Sequence, residues 1–319
     1  MRKLGCILVN YNNGSGTRIV DYSKGFNNPQ KPEIDNCLVP CLESYFATTY
    51  TRCPFIVVDD GSTDDSLNLI RRYSDRITRI IRRDKNIGLT PNMAEAADIL
   101  MDEYGCDAIC RFDGDIEFLS PGWDFRMLRY LEFNEKAGAV GGLQLAPDGE
   151  IWSFGDMLIH PKGYIHLMGM PTNQKTQKHV RVFMSEHLRL GNMECDSVMG
   201  CLAAFRSDAY RKAGGLRKEF DQLRGETEDL NLRLLLAGYQ CVALGNVIFI
   251  HRHSEHSRKD SSVYDTQEKL RASFSGWTHL WGWDKLNPDL GAIYKKWQNT
   301  PLTRNLLLSA DGRVEYIGP

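Results

Sequence analysis

The residues best suited to chemistry lie in Ala108-Ile-Cys-Arg-Phe-Asp-Gly-Asp-Ile-Glu-Phe118. Ala108 to Phe112 reads as an apolar strand, and it runs into three acids spaced two apart, Asp113, Asp115 and Glu117. Two carboxylates joined by Gly114 suit a hard divalent cation. Mg²⁺ and Mn²⁺ take oxygen ligands and are commonly held by one or two carboxylates together with substrate phosphates. If the run is a buried strand, the acids stand at its carboxyl end, where open α/β sheets bind ligands. Asp-Gly-Asp also makes an ordinary polar turn, so the surrounding elements decide between the two.

Those elements repeat one pattern. Leu4–Val9 and Phe55–Val58 are short apolar runs, and Ile77–Ile81 is a third. Each reads as a buried strand of a parallel sheet, and each ends in a polar cluster: Asn10–Gly16, Asp59–Ser66 and Arg82–Thr90. Helical faces lie between them, at 35–49 with Asp35 as N-cap, at 66–73, and from Pro91 to about Tyr104. Strand–helix alternation of this kind predicts an α/β fold. Its polar turns gather on one edge with Asp113–Glu117. Further on, Pro121–Asn134 reads as a helix and Ala139–Leu145 as a strand. Met199–Arg206 is another apolar segment, followed by a helix from Ser207 that stops at Gly214-Gly215. An acidic stretch, Glu226-Thr-Glu-Asp229, opens a helix ending at Gly238, and Val242–Ile250 is a strand that ends in His251. Neither GxGxxG nor GxxxxGK[ST] follows a strand, which excludes the usual dinucleotide and P-loop fingerprints.

The bulk numbers narrow the class. The chain has 319 residues, 42% of them hydrophobic and 25% charged, with a formal net charge of −2. That is the profile of a soluble globular protein and does not indicate a nucleic-acid partner. No apolar run is long enough for a transmembrane span. The nine cysteines form no CxxC pair. With no signal peptide legible at the N-terminus, they predict reduced thiols in a cytoplasmic protein, with a peripheral place at the inner face of the membrane as the alternative.

In their order these motifs resemble the family 2 glycosyltransferases, whose fold is the GT-A type. Asn10-Tyr11-Asn12 matches the end of that family's first strand, and Val57-Val58-Asp59-Asp60-Gly61-Ser62-Thr63-Asp64 matches its second-strand signature almost letter for letter. Asn86-Ile87-Gly88 with Asn92 is similar to its third-strand loop and following helix. Phe112-Asp113-Gly114-Asp115 is similar to its metal-binding Asp-x-Asp, Gly200–Arg206 with Gly214-Gly215-Leu216 to its acceptor-side segment, and Glu226–Arg233 with Ala237-Gly238-Tyr239 to its acidic helix. The resemblance covers about residues 4–257. It departs in a longer first loop and at Thr227, where the family carries a second acid.

The resemblance implies a Rossmann-like, mostly parallel sheet flanked by helices. Residues 1–118 form the nucleotide-sugar half of one domain, 119–257 its acceptor side, and 258–319 a helical appendage. It implies inverting, metal-dependent transfer from a UDP-, GDP- or dTDP-linked sugar to a glycan or other hydroxyl acceptor, in a setting such as bacterial polysaccharide assembly. Asp113, Asp115 and His251 would hold Mn²⁺ or Mg²⁺ at the leaving diphosphate. Asn10, Tyr11, Asp59, Asp60, Arg83, Asn86, Asn92 and Asp113 would grip the nucleotide sugar. Glu226 would take the acceptor proton, with Asp229 and then Glu228 as rivals, and Glu117 would be structural. Trp277, Trp281, Trp283 and Trp297 would form an acceptor platform, a core or a homo-oligomer surface. Two other classes compete: a sugar nucleotidyltransferase, which usually opens with a Gly-rich basic loop, and a non-catalytic nucleotide-sugar-binding relative.

Overall fold

Short strands that are hydrophobic on both sides need helices on both sides, and that requirement sets the architecture. The computed structural model describes residues 2–15, 36–147, 149, 151–160, 163–166, 191–217 and 225–252. It also describes two small antiparallel ladders, Thr17–Arg18 with Glu33–Ile34 and Leu306–Leu308 with Val314–Tyr316. The main sheet begins with β1 (Leu4–Asn10), β2 (Phe55–Asp59), β3 (Arg79–Arg82) and β4 (Ala108–Phe112). It continues with β5 (Ile116–Phe118), β6 (Ala137–Leu145) and β7 (Ile151–Ser153). A separate hairpin joins β8 (Asp156–His160) to β9 (Gly163–His166). The last strands of the main sheet are β10 (Asn192–Cys195), β11 (Leu202–Arg206) and β12 (Gln240–His251).

Successive strand residues point to opposite faces, and the two hydrophobic cores divide accordingly. Cys6, Leu8, Phe55, Val57 and Phe112 pack with α1 (Leu38–Thr48), α2 (Ser66–Arg71) and α4 (Trp123–Phe133). Ile7, Ile56, Val58 and Ile109 pack with α3 (Leu89–Asp98), α5 (Ser207–Lys212) and α6 (Glu226–Leu236). An aromatic cluster braces the end of β4: Tyr45 stacks on Phe112 at 5.2 Å and lies 4.4 Å from Phe55, while Phe118 stacks on Trp123 at 4.6 Å. Burying each such ring is worth on the order of 2 kcal/mol.

The strand order is β10-β12-β6-β11-β4-β1-β2-β3, with β5 on β12 and β7 on β6. From β3 to β4 the pairs are parallel, as expected for the nucleotide half. Then β11 runs antiparallel to both β4 and β6, as do β10 and β5 to β12. The sheet is therefore mixed, which corrects the mostly parallel expectation. A strand buried on both faces has the same composition whichever way it runs, so hydrophobicity carried no sign of the reversal.

This topology makes a switch point. The chain steps from β1 to β2 to β3, then returns to place β4 on the other side of β1, the switch point where α/β sheets bind ligands. The register aligns the strand ends there, with Asn10 beside Asp59 and Leu8 beside Phe112. The same continuous sheet crosses from residues 1–118 into 119–257. Of the segment expected to be a helical appendage, 258–319, only the ladder at 306–316 is described, and it is made of strands. The tryptophan readings lie outside the described residues, among which no helix is long and apolar enough to cross a membrane. All nine cysteines are free. Asp35, the expected cap of α1, lies outside the described residues; next to it Asn36 Oδ1 accepts from Val39 N at 2.8 Å.

Candidate active site

The Asp-Gly-Asp turn is pinned from both sides. Asp113 N donates to Cys201 O at 3.1 Å, which ties the turn to the start of β11. A Cβ on Gly114 would stand 3.1 Å from Asn13 Nδ2 and 3.3 Å from Asn10 Oδ1, so the turn lies against the end of β1. The antiparallel β5–β12 ladder then sets His251 opposite Ile116, and Arg252 N donates to Asp115 O at 2.9 Å. That register carries His251 Nε2 to 3.1 Å from Asp115 Oδ1. Ligand atoms of Asp113, Asp115 and His251 all lie within 4.8 Å of one another. The two carboxylates suit a hard cation such as Mn²⁺ or Mg²⁺, and the imidazole adds a nitrogen donor. Burial alone would push the His251 imidazole down, but the Asp115 carboxylate and the Cys201 thiol outweigh it and raise it well above its ordinary value. The field that favours a proton there also favours a divalent cation. Glu117 turns away and pairs with Arg252 at 3.0 and 2.6 Å.

Behind the histidine, Gln144 Nε2 lies 3.2 Å from His251 Nδ1, and Gln144 Oε1 accepts from Cys201 Sγ at 3.5 Å. With Nε2 on a metal, Nδ1 carries the proton and needs an acceptor, which the Gln144 amide supplies when its oxygen rather than its nitrogen faces the ring. The sequence reading passed over Gln144. The available signal was a buried polar residue inside the otherwise apolar strand Ala137–Leu145.

The turns expected to grip the nucleotide are a braced set. Asn10 Nδ2 donates to Asp59 Oδ1 and to Ser62 Oγ, both at 3.3 Å. Asp64 accepts from Gly14 N at 2.7 Å, Ser15 N at 3.0 Å and Ser66 N at 2.9 Å, clamping the first loop onto the start of α2. A Cβ on Gly14 would stand 2.2 Å from Ser66 N, so no larger residue fits this approach. Gly61 has φ +76°, and a Cβ there would meet the Lys85 backbone at 2.5 Å. The glycine of the second-strand signature is therefore required on both counts. Asp60 accepts from Ile87 N at 2.9 Å and Gly88 N at 3.0 Å. Burial raises its carboxyl, opposed by those N–H groups, by Asn92 and by Arg83. Arg83 donates to Asn92 at 2.8 Å and pairs with Glu95. Asp59, Asp60 and Asn92 are thus buried in the framework, Tyr11 is half-buried, and Asn86 is exposed.

The acids of α6 have separate partners. Glu226 Oε1 and Thr227 Oγ1 accept from Arg111 Nη1 at 2.9 and 3.1 Å, while Arg111 Nη2 donates to Asp113 Oδ1 at 2.8 Å. Asp229 is fully buried and is held by Arg217 and by Arg233, the latter at 2.7 Å from Nη2 and 3.0 Å from Nε. Arg233 also donates to Gly215 O at 2.6 Å. Asp229 thereby ties α6 to the turn after α5. Glu228 is half-buried. We expect Asp229→Asn to cost about 3 kcal/mol, because breaking a buried pair leaves uncompensated charge. Thermal denaturation checks this, and an unchanged midpoint would show that the cluster is not structural. Arg111 was also missed, although its charge interrupts the strand Ala108–Phe112.

The comparisons with known proteins bear on the family and the fold. Residues 30–213 match the model of glycosyl transferase family 2. The chain belongs to that family. The matched span includes Asp59, Asp60, Asp113 and Asp115, whereas Asn10, Glu226 and His251 lie outside it. No curated protein matches the chain in sequence. Among solved structures, the mannosyltransferase PcManGT from Pyrobaculum calidifontis, in complex with GDP-Man and Mn²⁺, is similar at 14% identity and a TM-score of 0.57, covering 92% of this chain and 69% of that one. GalNAc-T7 with UDP, GalNAc and Mn²⁺ is similar at 11% identity and 0.52, over 79% and 44%. S. aureus TarS 1-349 with UDP-GlcNAc is similar at 12% and 0.51, over 86% and 66%. At these identities the likeness is one of fold, and it is the GT-A fold. This family 2 member is a glycosyltransferase, and its Asp113–Asp115–His251 group supports dependence on a metal.

Proposed function

We propose that this family 2 member transfers a sugar from a nucleoside-diphosphate donor, UDP-, GDP- or dTDP-linked, to a hydroxyl of a glycan or similar acceptor, with inversion. The observation that carries the reading is the meeting of Asp113, Asp115 and His251 at the switch point, with Glu226 one side chain away through Arg111. Asp113, Asp115 and His251 would hold Mn²⁺ or Mg²⁺, which when bound supplies positive charge to the departing diphosphate. Glu226 takes the acceptor proton as the hydroxyl oxygen bonds to the anomeric carbon. The bond from that carbon to the diphosphate oxygen breaks, and its electron pair leaves with the diphosphate. Asp59 and Asn10 line the floor of the nucleotide crevice, and Asp60, Asn92 and Arg83 hold the loop above it. Among the three acids of α6, Asp229 is engaged by two guanidinium groups, which favours Glu226 as the base. Bacterial polysaccharide or glycoconjugate synthesis is the setting we infer, by family analogy.

The test is a thermal-shift panel of UDP-, GDP- and dTDP-sugars with and without Mn²⁺, followed by measurement of nucleoside-diphosphate release. One nucleotide class should stabilise the chain, by about 2.7 kcal/mol at a hundredfold excess over its dissociation constant, and only with metal present. A folded chain that neither gains stability nor releases diphosphate with any of the three classes would overturn the reading.

A further inference from the structure

Arg111 joins two parts of the site that the proposed reaction uses for different purposes. Its side chain is 6% exposed, yet it carries a full charge in the middle of a sheet strand. Burial opposes that charge, but Asp113 and Glu226 outweigh it and hold the guanidinium protonated. One planar fork serves both sides, with Nη2 on Asp113 and Nη1 on Glu226 and Thr227. The space is shaped for it: a Cβ on Gly200 would stand 2.5 Å from Thr227 Oγ1 and 3.3 Å from Arg111 Nη1. Where the family carries a second acid, this chain has Thr227, which adds a neutral acceptor to the same fork.

We propose that Arg111 is a positioning residue that sets the separation between the cation-holding Asp113 and the proton-accepting Glu226, so that the donor and acceptor sides of the site are aligned by one side chain. This rests on the reading of those two carboxylates given above. Arg111 acts through these two carboxylates. Its charge also competes with a bound cation for Asp113, so removing it relieves that competition while destroying the alignment. Metal affinity and turnover then move in opposite directions, which general damage to the fold would not produce. Lysine is not equivalent, because a single ammonium lacks the fork that spans both carboxylates.

The experiment compares full-length wild type, Arg111→Met, Arg111→Lys, Glu226→Gln and the Arg111→Met/Glu226→Gln double variant. Mn²⁺ affinity is measured without sugar, and kcat and KM with the donor found in the panel. Arg111→Met should lower kcat by roughly 100-fold, the scale of an ångström-sized misplacement, while Mn²⁺ binds several-fold tighter. The double variant should be no slower than Glu226→Gln alone, since both changes disable one aligned unit. Mn²⁺ affinity and kcat falling together, or losses that multiply in the double variant, would overturn the proposal. Should Arg111→Met not fold, Arg111→Lys decides: reduced kcat at wild-type Mn²⁺ affinity supports the role, and wild-type kcat refutes it. A wild type that binds Mn²⁺ and transfers sugar while Arg111→Lys runs at full rate sinks this proposal alone. A wild type that does neither sinks the functional reading and this proposal with it.

Discussion

Asp115→Ala is expected to abolish Mn²⁺ and Mg²⁺ binding and to slow sugar transfer by roughly a thousandfold, about 4 kcal/mol of lost transition-state stabilisation. The size follows from position. Asp115 is 5% exposed and reaches His251 Nε2 at 3.1 Å, whereas Asp113 shares its carboxylate with Arg111. The loss of Asp115 also deprives His251 of its carboxylate partner. Asp115→Asn keeps the shape and removes the charge, so it should fail nearly as badly if charge is the cause. Metal titration followed by a transfer assay reads both effects. Transfer that survives Asp115→Ala with its metal dependence intact would place the cation elsewhere.

Glu226→Gln is expected to lower kcat by about 10²- to 10⁴-fold, the usual contribution of a positioned general base. Donor KM and Mn²⁺ binding should change little, because the proton is transferred only as the acceptor attacks. Glutamine still accepts from Arg111, so the framework is preserved. The side chain is 15% exposed, shielded by the sheet yet open to an acceptor. The contrast with Asp229→Asn is diagnostic: there the fold weakens, whereas here turnover falls in a protein of normal stability. Full activity in Glu226→Gln would remove it as the base and return attention to Glu228 and Asp229.

Much of this site could be read along the chain, for local reasons. A buried strand and the turn that stops it are set by consecutive residues, so the ends at Asn10, Asp59 and Asp113 were visible as apolar runs meeting polar clusters. Gly61 was legible too, because a positive φ at a tight turn favours glycine wherever the turn lies in space. The acids of α6 were legible as a group but not as individuals. Helical spacing can put residues 226 and 229 on one face, yet Glu226 meets Arg111 while Asp229 is taken by Arg217 and Arg233. The Asp229–Arg233 pair is an i,i+4 helix pair that the chain itself displays, but Arg111 and Arg217 lie 115 and 12 residues from their acids, and no local pattern contains those contacts.

The sequence by itself determined the strand ends, the acids placed on them and the resemblance that orders them, because each depends on short-range propensity and burial. Only the tertiary structure decided the direction of β11, the direct contact of His251 with Asp115, which the resemblance implied only as shared ligation, and the sharing of Arg111 between Asp113 and Glu226. Those depend on the register between strands far apart in the chain. That register is chosen by how two hydrophobic cores close on either side of one sheet, a property of the whole packing rather than of any segment in it.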